Sequence, residues 1–157
     1  MSENTTFEEP RPGDNDIKPF DRSRLSAHME REGYSFQTDS DGDVYAHFGR
    51  NRFLILANGG GNSICTVRGQ WNVSAPATAR YRLLDVINKW CSTHFWPKAY
   101  LVSRDNGTVE VHTEVSIDFE HGVSDLQIKQ LVDCGVGTAM QLFAELDSEF
   151  PDTRFSN

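Results

Sequence analysis

Apolar residues recur at steps of three and four between residues 74 and 95, in the middle of the chain. This spacing places them on one face of a helix. The residues concerned are Leu83, Leu84, Ile87, Trp90 and Cys91. Ser74 can cap the first turn, because its hydroxyl accepts hydrogen bonds from the free amides there, and Pro97 disfavours helical geometry at the residue before it. The pattern predicts a helix over residues 74–95 with one buried face.

A shorter helix is predicted near the start of the chain, over residues 21–32. Asp21 is a favourable N-cap, and Gly33 is a residue type that commonly follows the last turn. Leu25 and Met29 are four positions apart, so they share one face of this helix. We expect that face to be buried.

A long helix is predicted at the end of the chain, from Ser124 to about Phe150. Ser124 and Gln127 have the spacing of a capping box. The apolar stripe of this helix consists of Ile128, Leu131, Val132, Val136, Ala139, Leu142, Phe143 and Leu146. Gly135 and Gly137 interrupt it, although glycine in a helix interior costs about 1 kcal/mol relative to alanine. The pair predicts either a close approach of another backbone or a bend.

Alternation of apolar and polar residues predicts six strands between the helices. They cover residues 34–38, 44–48, 52–57, 63–71, 98–103 and 109–120. Short turns connect several of them, such as Asp105-Asn106-Gly107, so we expect antiparallel pairing. The predicted order is α-β-β-β-β-α-β-β-α. The fold class is α+β, an antiparallel sheet with the helices packed on one face.

A chain of 157 residues suits one domain. Residues 1–19 are acidic and lack an apolar period, so they are predicted to be a disordered tail, followed by the domain over 20–150 and a short tail over 151–157. No apolar run approaches the ~20 residues of a membrane-spanning helix, and the N-terminal segment lacks the apolar core of a signal peptide. We therefore expect a cytoplasmic protein with no membrane partner.

The distribution of charge is uneven. The formal net charge of −8 argues against nucleic acid as a partner. Residues 44–84, here called the arginine stretch, contain no Asp or Glu. The arginines of this stretch are Arg50, Arg52, Arg68, Arg80 and Arg82. They form either a patch that binds an acidic peptide or another anion, or a set of charges that neutralises the acidic flanks. Exposed tryptophans, with Trp71 and Trp96 as the candidates, would indicate a binding groove.

Motifs for catalysis or metal binding are absent from the sequence. The three cysteines are odd in number and widely spaced, which favours neither a disulfide framework nor a zinc site. Glu110, His112 and Glu114 alternate along the last strand, but they spread over ~13 Å, too far for one ion to bind all three. We interpret them as a solvated acidic face of the sheet. With no nucleophile motif either, the sequence predicts no metal, no cofactor and no enzymatic activity.

The second half of the chain carries a series of local patterns. They are DVINKW at residues 85–90, FWPKAY at 95–100, the DNG turn at 105–107, the alternating strand from Thr108 and GVS at 122–124. Together they resemble the YbjN family of bacterial proteins, over roughly residues 25–146 and most clearly after Leu84.

This resemblance implies a fold similar to that of type III secretion chaperones, which are small dimeric α/β proteins that hold segments of partner proteins. Members of the YbjN family are described as candidate sensory transduction regulators, and the resemblance implies no catalytic residues.

We therefore expect a non-enzymatic protein-binding or regulatory module, a homodimer with a protein or peptide partner. The last helix near Gly135 and Gly137, or the open face of the sheet, is the candidate dimer contact. The alternative is a sensor of a small molecule or anion that uses the arginine stretch.

Overall fold

The computed structural model describes residues 9–151, and it confirms the α+β class. The helices are α1 (Arg22–Arg31), α2 (Arg80–Thr93) and α3 (Asp125–Glu149), with a 3-10 turn at Ala77–Ala79. The strands are β1 (Gln37–Thr38), β2 (Val44–Phe48), β3 (Asn51–Asn58), β4 (Ile64–Gln70), β5 (Ala75–Pro76), β6 (Lys98–Ser103) and β7 (Thr108–Asp118).

These seven strands of the described residues form one antiparallel sheet. The strands β1 to β4 lie side by side in chain order, and β4 then pairs with β7. On its other edge β7 pairs with β6. The short β5 pairs with the beginning of β7, beyond the point at which β4 ends. Hairpin connections and an amphipathic pattern therefore produce the antiparallel sheet that the sequence predicts.

Only one face of the sheet contributes to the core. In the register of β3, β4 and β7, Ile55 lies opposite Val67 and Val67 opposite Val115, and all three are buried in the core. The adjacent row on the other face contains Arg68 and Glu114, which lie outside the core. Within residues 9–151 the helices thus pack on one face of the sheet, and no helix covers the other, which we call the open face.

Helix α3 packs on the centre of the covered face. Ser124 and Gln127 form the predicted capping box at its start, with hydrogen bonds of 3.1 and 2.9 Å. A Cβ built on Gly135 would lie 2.5 Å from the Cβ of Val67 on β4, whereas nothing lies within 4 Å of a Cβ on Gly137. Gly135 is therefore required by the close approach of the helix to the sheet. The sequence analysis named the region of Gly135 as a candidate dimer contact. Because Gly135 faces the sheet, it cannot belong to an exposed contact of this kind.

Helix α2 begins six residues later than expected, at Arg80. Ser74 does not cap this helix, because the residues directly after Ser74 form the short strand β5 of the sheet. Ala75 pairs with Val109, and the Ala77 amide donates to the Gly107 carbonyl oxygen at 3.1 Å. Pairing with a distant strand therefore overrides the local capping signal.

The buried face of α2 is narrower than the sequence predicts. Leu83, Ile87 and Trp90 are buried, but Leu84 and Cys91 are exposed. Each exposed residue directly follows a buried one, and successive residues of a helix are rotated by about 100°. Leu84 and Cys91 therefore point away from the sheet.

The first strand is also shorter than predicted, Gln37–Thr38 instead of residues 34–38. The Tyr34 amide donates to the Met29 carbonyl oxygen at the end of α1, and the Tyr34 ring packs edge-on against Phe48. These contacts hold the chain against the helix before pairing with β2 begins.

Residues 9–19, within the predicted tail, are anchored to the domain. Lys18 pairs with Val123, and the buried Asp14 forms an ion pair with Arg31 on α1. The Leu126 amide of α3 also donates to the Asp14 carbonyl oxygen. The rest of the predicted tails, residues 1–8 and 152–157, lies outside the described residues.

The two glycines of α3 should respond to alanine in opposite ways. Overpacking costs about 1–3 kcal/mol, so Gly135→Ala should lower the free energy of unfolding by about 1–2 kcal/mol even after a gain in helix propensity. Gly137→Ala meets open space and should raise it by up to about 1 kcal/mol. Urea denaturation followed by circular dichroism measures both. Equal effects of the two substitutions would contradict the close approach at Gly135.

Candidate docking surface

Helix α2 presents a second stripe on its exposed side, with three apolar residues and one polar residue. We call it the α2 seam, and its members are Tyr81, Leu84, Asn88 and Cys91. Their spacing of three, four and three places them on one helix face. That face lies beside the buried arc of Leu83, Ile87 and Trp90, and all four of its residues are exposed. A stripe with this spacing on a solvated helix is typical of helix–helix contacts.

The loop after α2 places two more aromatic side chains at the surface. The Trp90 indole Nε1 donates to the Trp96 carbonyl oxygen at 3.2 Å, and the His94 ring stacks on Trp90 with centroids 3.6 Å apart. These contacts fix the backbone of the loop. Phe95 is 92% exposed and Trp96 50% exposed, and their rings lie 5.7 Å apart.

Trp96 forms one wall of an apolar groove of about 380 Å³ between β7 and the first turns of α3. We call it the Trp96 groove. It is lined by Trp96, Val115, Ile117, Phe119, Gln127, Gln130, Leu131 and Cys134. Ile117 is 46% exposed, although it lies two residues after the buried Val115 and so on the same face of β7. The groove therefore leaves apolar surface in contact with water.

The groove lies along an unpaired strand edge. On this side β6 pairs with β7 only as far as Glu114, where Lys98 begins β6. The next residues of β7, from Val115 to Asp118, pair with β4 on the other side and with no described strand on this one. An unpaired edge above an apolar groove can accept an extended peptide as an additional strand.

Arg68 is neutralised within the fold. It extends from the open face of the sheet, and its Nε donates to Glu114 Oε1 at 2.8 Å. The same carboxylate accepts a hydrogen bond from the Tyr100 hydroxyl at 2.6 Å and pairs with Lys98 at 3.1 Å. Burial alone would raise the pKa of Glu114, but these three donors outweigh it and lower the pKa. Burial and the bond to Glu114 also raise the pKa of Tyr100 to about 12.

The other arginines of the stretch are dispersed. Arg80 donates to Ser103 Oγ at 3.1 Å, and the Arg82 guanidinium lies 4.7 Å from the centre of the Phe150 ring. Arg50 lies in the turn before β3, and Arg52 lies on the open face. Neither of these last two side chains has a hydrogen bond or ion pair within residues 9–151. The five arginines therefore do not converge on one patch.

Trp71 does not lie at the surface. It is 1% exposed, packs against Phe150, and its Nε1 donates to Asp147 Oδ1 at 2.9 Å. The exposed position considered for Trp71 is therefore not observed, and of the two candidate tryptophans only Trp96 can contact a partner directly.

The acidic face predicted on β7 is only partly solvated. Glu110 is buried, forms an ion pair with Arg104 and accepts a hydrogen bond from His112 Nε2 at 2.9 Å. Among residues 9–151, no group of three or more His, Cys, Asp and Glu side chains is arranged to hold a metal ion. The helices of the described chain lack the length and apolarity to cross a membrane.

The family model described as "Putative bacterial sensory transduction regulator", named YbjN, matches residues 21–148. The chain belongs to the YbjN family. The fold is similar to that in the crystal structure of YbjN from E. coli, described as "a putative transcription regulator", with a TM-score of 0.73. The sequence identity is 14%, and the match covers 85% of this chain and 96% of that one. The curated proteins gave no match.

The α2 seam and the exposed part of the Trp96 groove are features of this YbjN-family chain that periodicity alone did not identify. Periodicity predicts a core position for Leu84 and Cys91, because both continue the apolar pattern of α2. The spacing of Tyr81, Leu84, Asn88 and Cys91 can be read from the sequence. The sequence alone does not distinguish this exposed stripe from the core stripe, because the width of the helix surface covered by the sheet is not encoded in the spacing.

The Glu114 carboxylate should be important for stability, since three donors converge on it. Glu114→Gln should lower the free energy of unfolding by about 1–3 kcal/mol. Because the pKa of Glu114 is lowered in the fold, its stabilisation is present above about pH 4.3, the ordinary value for Glu, and is lost as the pH falls further. Urea denaturation at pH 7 and at low pH measures both effects.

The control for this experiment is Asp118→Asn, which changes an exposed carboxylate on the same strand. It should cost less than 1 kcal/mol. A difference between wild type and Glu114→Gln that grows on acidification would contradict the assigned direction of the pKa shift.

Proposed function

We propose that this YbjN-family protein is a non-enzymatic, cytoplasmic, protein-binding regulator that acts as a homodimer. The observation that carries the proposal is the apolar surface left exposed by α2 and by the end of β7. Two parts of that surface differ in shape, and we assign a different binding partner to each. The α2 seam takes a second copy of the chain, and the Trp96 groove takes an extended segment of a partner protein.

The α2 seam supports self-association because of its composition and symmetry. A two-fold dimer places the same patch of both subunits in contact, so the patch must be complementary to itself. Two copies of a helical stripe with apolar residues at Tyr81, Leu84 and Cys91 meet this condition. Asn88, in the middle of the stripe, can bond its counterpart, and a single polar residue in such a seam specifies alignment.

The Trp96 groove supports binding of an extended segment for a different reason. Its floor is apolar and its rim contains the amides of Gln127 and Gln130, which can orient a peptide. The unpaired edge of β7 can supply backbone hydrogen bonds, while alternate side chains of the added strand enter the groove. This arrangement fits a peptide with apolar residues at every second position.

The alternative of an anion sensor built from the arginine stretch receives no support from the geometry. Arg68 is paired with Glu114, and Arg80 and Arg82 lie on α2 away from the open face that carries Arg52. Binding of a partner protein would cover the exposed apolar residues of α2 and β7, whereas an anion site in the arginine stretch would leave them exposed.

Self-association should depend on the α2 seam. Wild-type protein should have twice the chain mass of 17.7 kDa in light scattering. The dimer should persist at high salt, because an apolar interface is not screened. Leu84→Glu buries a charge in the seam and should yield a monomer.

The matched control is Lys89→Gln, which changes the charge by the same amount on the solvated flank of α2. It should remain a dimer. Wild-type protein that is monomeric at every concentration would rule out the seam as a dimer contact.

Peptide binding should depend on the Trp96 groove. Peptides selected from a random displayed library on wild-type protein should carry apolar residues at alternate positions. Their affinity, measured by fluorescence anisotropy, should fall at least ~10-fold, or about 1.4 kcal/mol, in Ile117→Lys. The control Tyr45→Lys alters an exposed ring on the open face of the sheet and should leave the affinity unchanged.

Two outcomes would contradict the peptide assignment. Selected peptides that bind Ile117→Lys as well as wild type would place their site elsewhere. Dissociation of the dimer by Ile117→Lys would show that the groove is occupied by a second copy of the chain.

A further inference from the structure

A second cavity lies on the other side of α3, between that helix and α1. Its volume is about 260 Å³. It is lined by Lys18, Arg24, Ala27, His28, Arg31, Asp125 and Ile128. Three of these side chains are cationic and one is anionic, in a protein whose formal net charge is −8. We propose that this cavity binds a small organic oxyanion, a carboxylate or phosphate with an apolar end.

The two arginines are held in place with donors to spare. Arg24 Nη1 donates to the carbonyl oxygens of Lys18 and Pro19 at 2.9 and 3.0 Å, and its Nη2 donates to Asp125 Oδ1 at 2.8 Å. Arg31 Nη2 donates to the buried Asp14 carboxylate. Within residues 9–151, the Nε of Arg24 and the Nε and Nη1 of Arg31 make no hydrogen bond. Guanidinium groups fixed in this way are suited to bind a planar or tetrahedral oxyanion.

Asp125 lies between the two arginines. Its Oδ1 binds Arg24, and its Oδ2 lies 3.8 Å from Arg31 Nη1, beyond hydrogen-bond distance. One carboxylate therefore contacts both guanidinium groups but satisfies only one. A ligand oxyanion would bind beside Asp125, using the free donors of Arg31 and the ammonium of Lys18, for which residues 9–151 supply no ion pair. Asp125 would oppose that ligand by like-charge repulsion.

The inner wall explains why the ligand should be organic. His28 is 7% exposed, and its Nε2 is covered and has no hydrogen-bond partner in the described chain. Ala27 and Ile128 add apolar wall beside the imidazole ring. An apolar end packed against Ala27 and Ile128 would exclude water from this wall, and a polar atom of the ligand placed beside His28 would supply the bond that Nε2 lacks.

This site is separate from the surfaces assigned to protein partners. Asp125 and Ile128 face the cavity, whereas Gln127 and Leu131 line the Trp96 groove on the opposite side of the same helix. A ligand in the cavity and a peptide in the groove would therefore contact opposite sides of the same first turns of α3.

The test is titration of the full chain with phenyl phosphate, and separately with inorganic phosphate, at constant ionic strength. Binding is followed by the NMR amide shifts of α1 and α3. Phenyl phosphate should bind with a Kd near or below 1 mM and should shift the amides of Ala27 and His28. Lys18→Gln should weaken binding 3-fold or more. Asp125→Asn should strengthen it by a similar factor, because the competing carboxylate is neutralised.

The control is Lys129→Gln, which removes a charge from α3 outside the cavity, where Lys129 pairs with Glu32 and Asp133. It should leave the affinity unchanged. No shift at 10 mM ligand, or equal weakening by Lys18→Gln and Lys129→Gln, would overturn the site. Binding of inorganic phosphate as tight as that of phenyl phosphate would overturn the organic part of the assignment. Because these readouts do not involve the dimer or a peptide, their failure would leave the proposed function standing.

Discussion

The close contact between α3 and the centre of the sheet determines the arrangement of the other elements. It requires glycine on the helix side, because a Cβ on Gly135 would lie 2.5 Å from the Cβ of Val67 on β4. A Cβ on Gly69 of β4 would first meet Thr113 Oγ1 at 2.6 Å and Phe53 Cε1 at 2.8 Å, within the sheet itself. Because protein interiors are packed as densely as organic crystals, a side chain at Gly135 would push the helix outward. The position of α1 follows from the same contact, since α1 packs against both α3 and β3.

The place of α3 also explains why apolar surface remains exposed. With α3 over β3, β4 and β7, α2 lies at the margin of the sheet, against β6. A helix at a margin buries only a narrow arc, so Leu83 and Ile87 enter the core while Leu84 remains outside it. At the same margin β6 begins only at Lys98, which leaves the end of β7 unpaired. The α2 seam and the Trp96 groove are thus two consequences of one geometric constraint.

The features that could be predicted from the sequence are those decided by local chemistry. The predicted bounds of β2 and β6 agree with the structure, and so do the caps at Asp21 and Ser124, because alternation and capping depend only on near neighbours. The start of α2 could not be predicted, since pairing of Ala75 with Val109 decides it. The exposure of Ile117 could not be predicted either, because it depends on where the neighbouring strand begins.

The positions of the arginines show the same limit of prediction from sequence, and they also show which spacing of charges is informative. The arginine stretch is contiguous in sequence, but a sheet places consecutive residues on opposite faces and brings distant ones together. Arg68 therefore meets Glu114, a residue from the acidic flank, and is neutralised. Arg24 and Arg31 are seven positions apart on α1, a spacing that keeps both on one helix face. Helical spacing of like charges therefore predicts convergence in space where a contiguous run of arginines across strands does not.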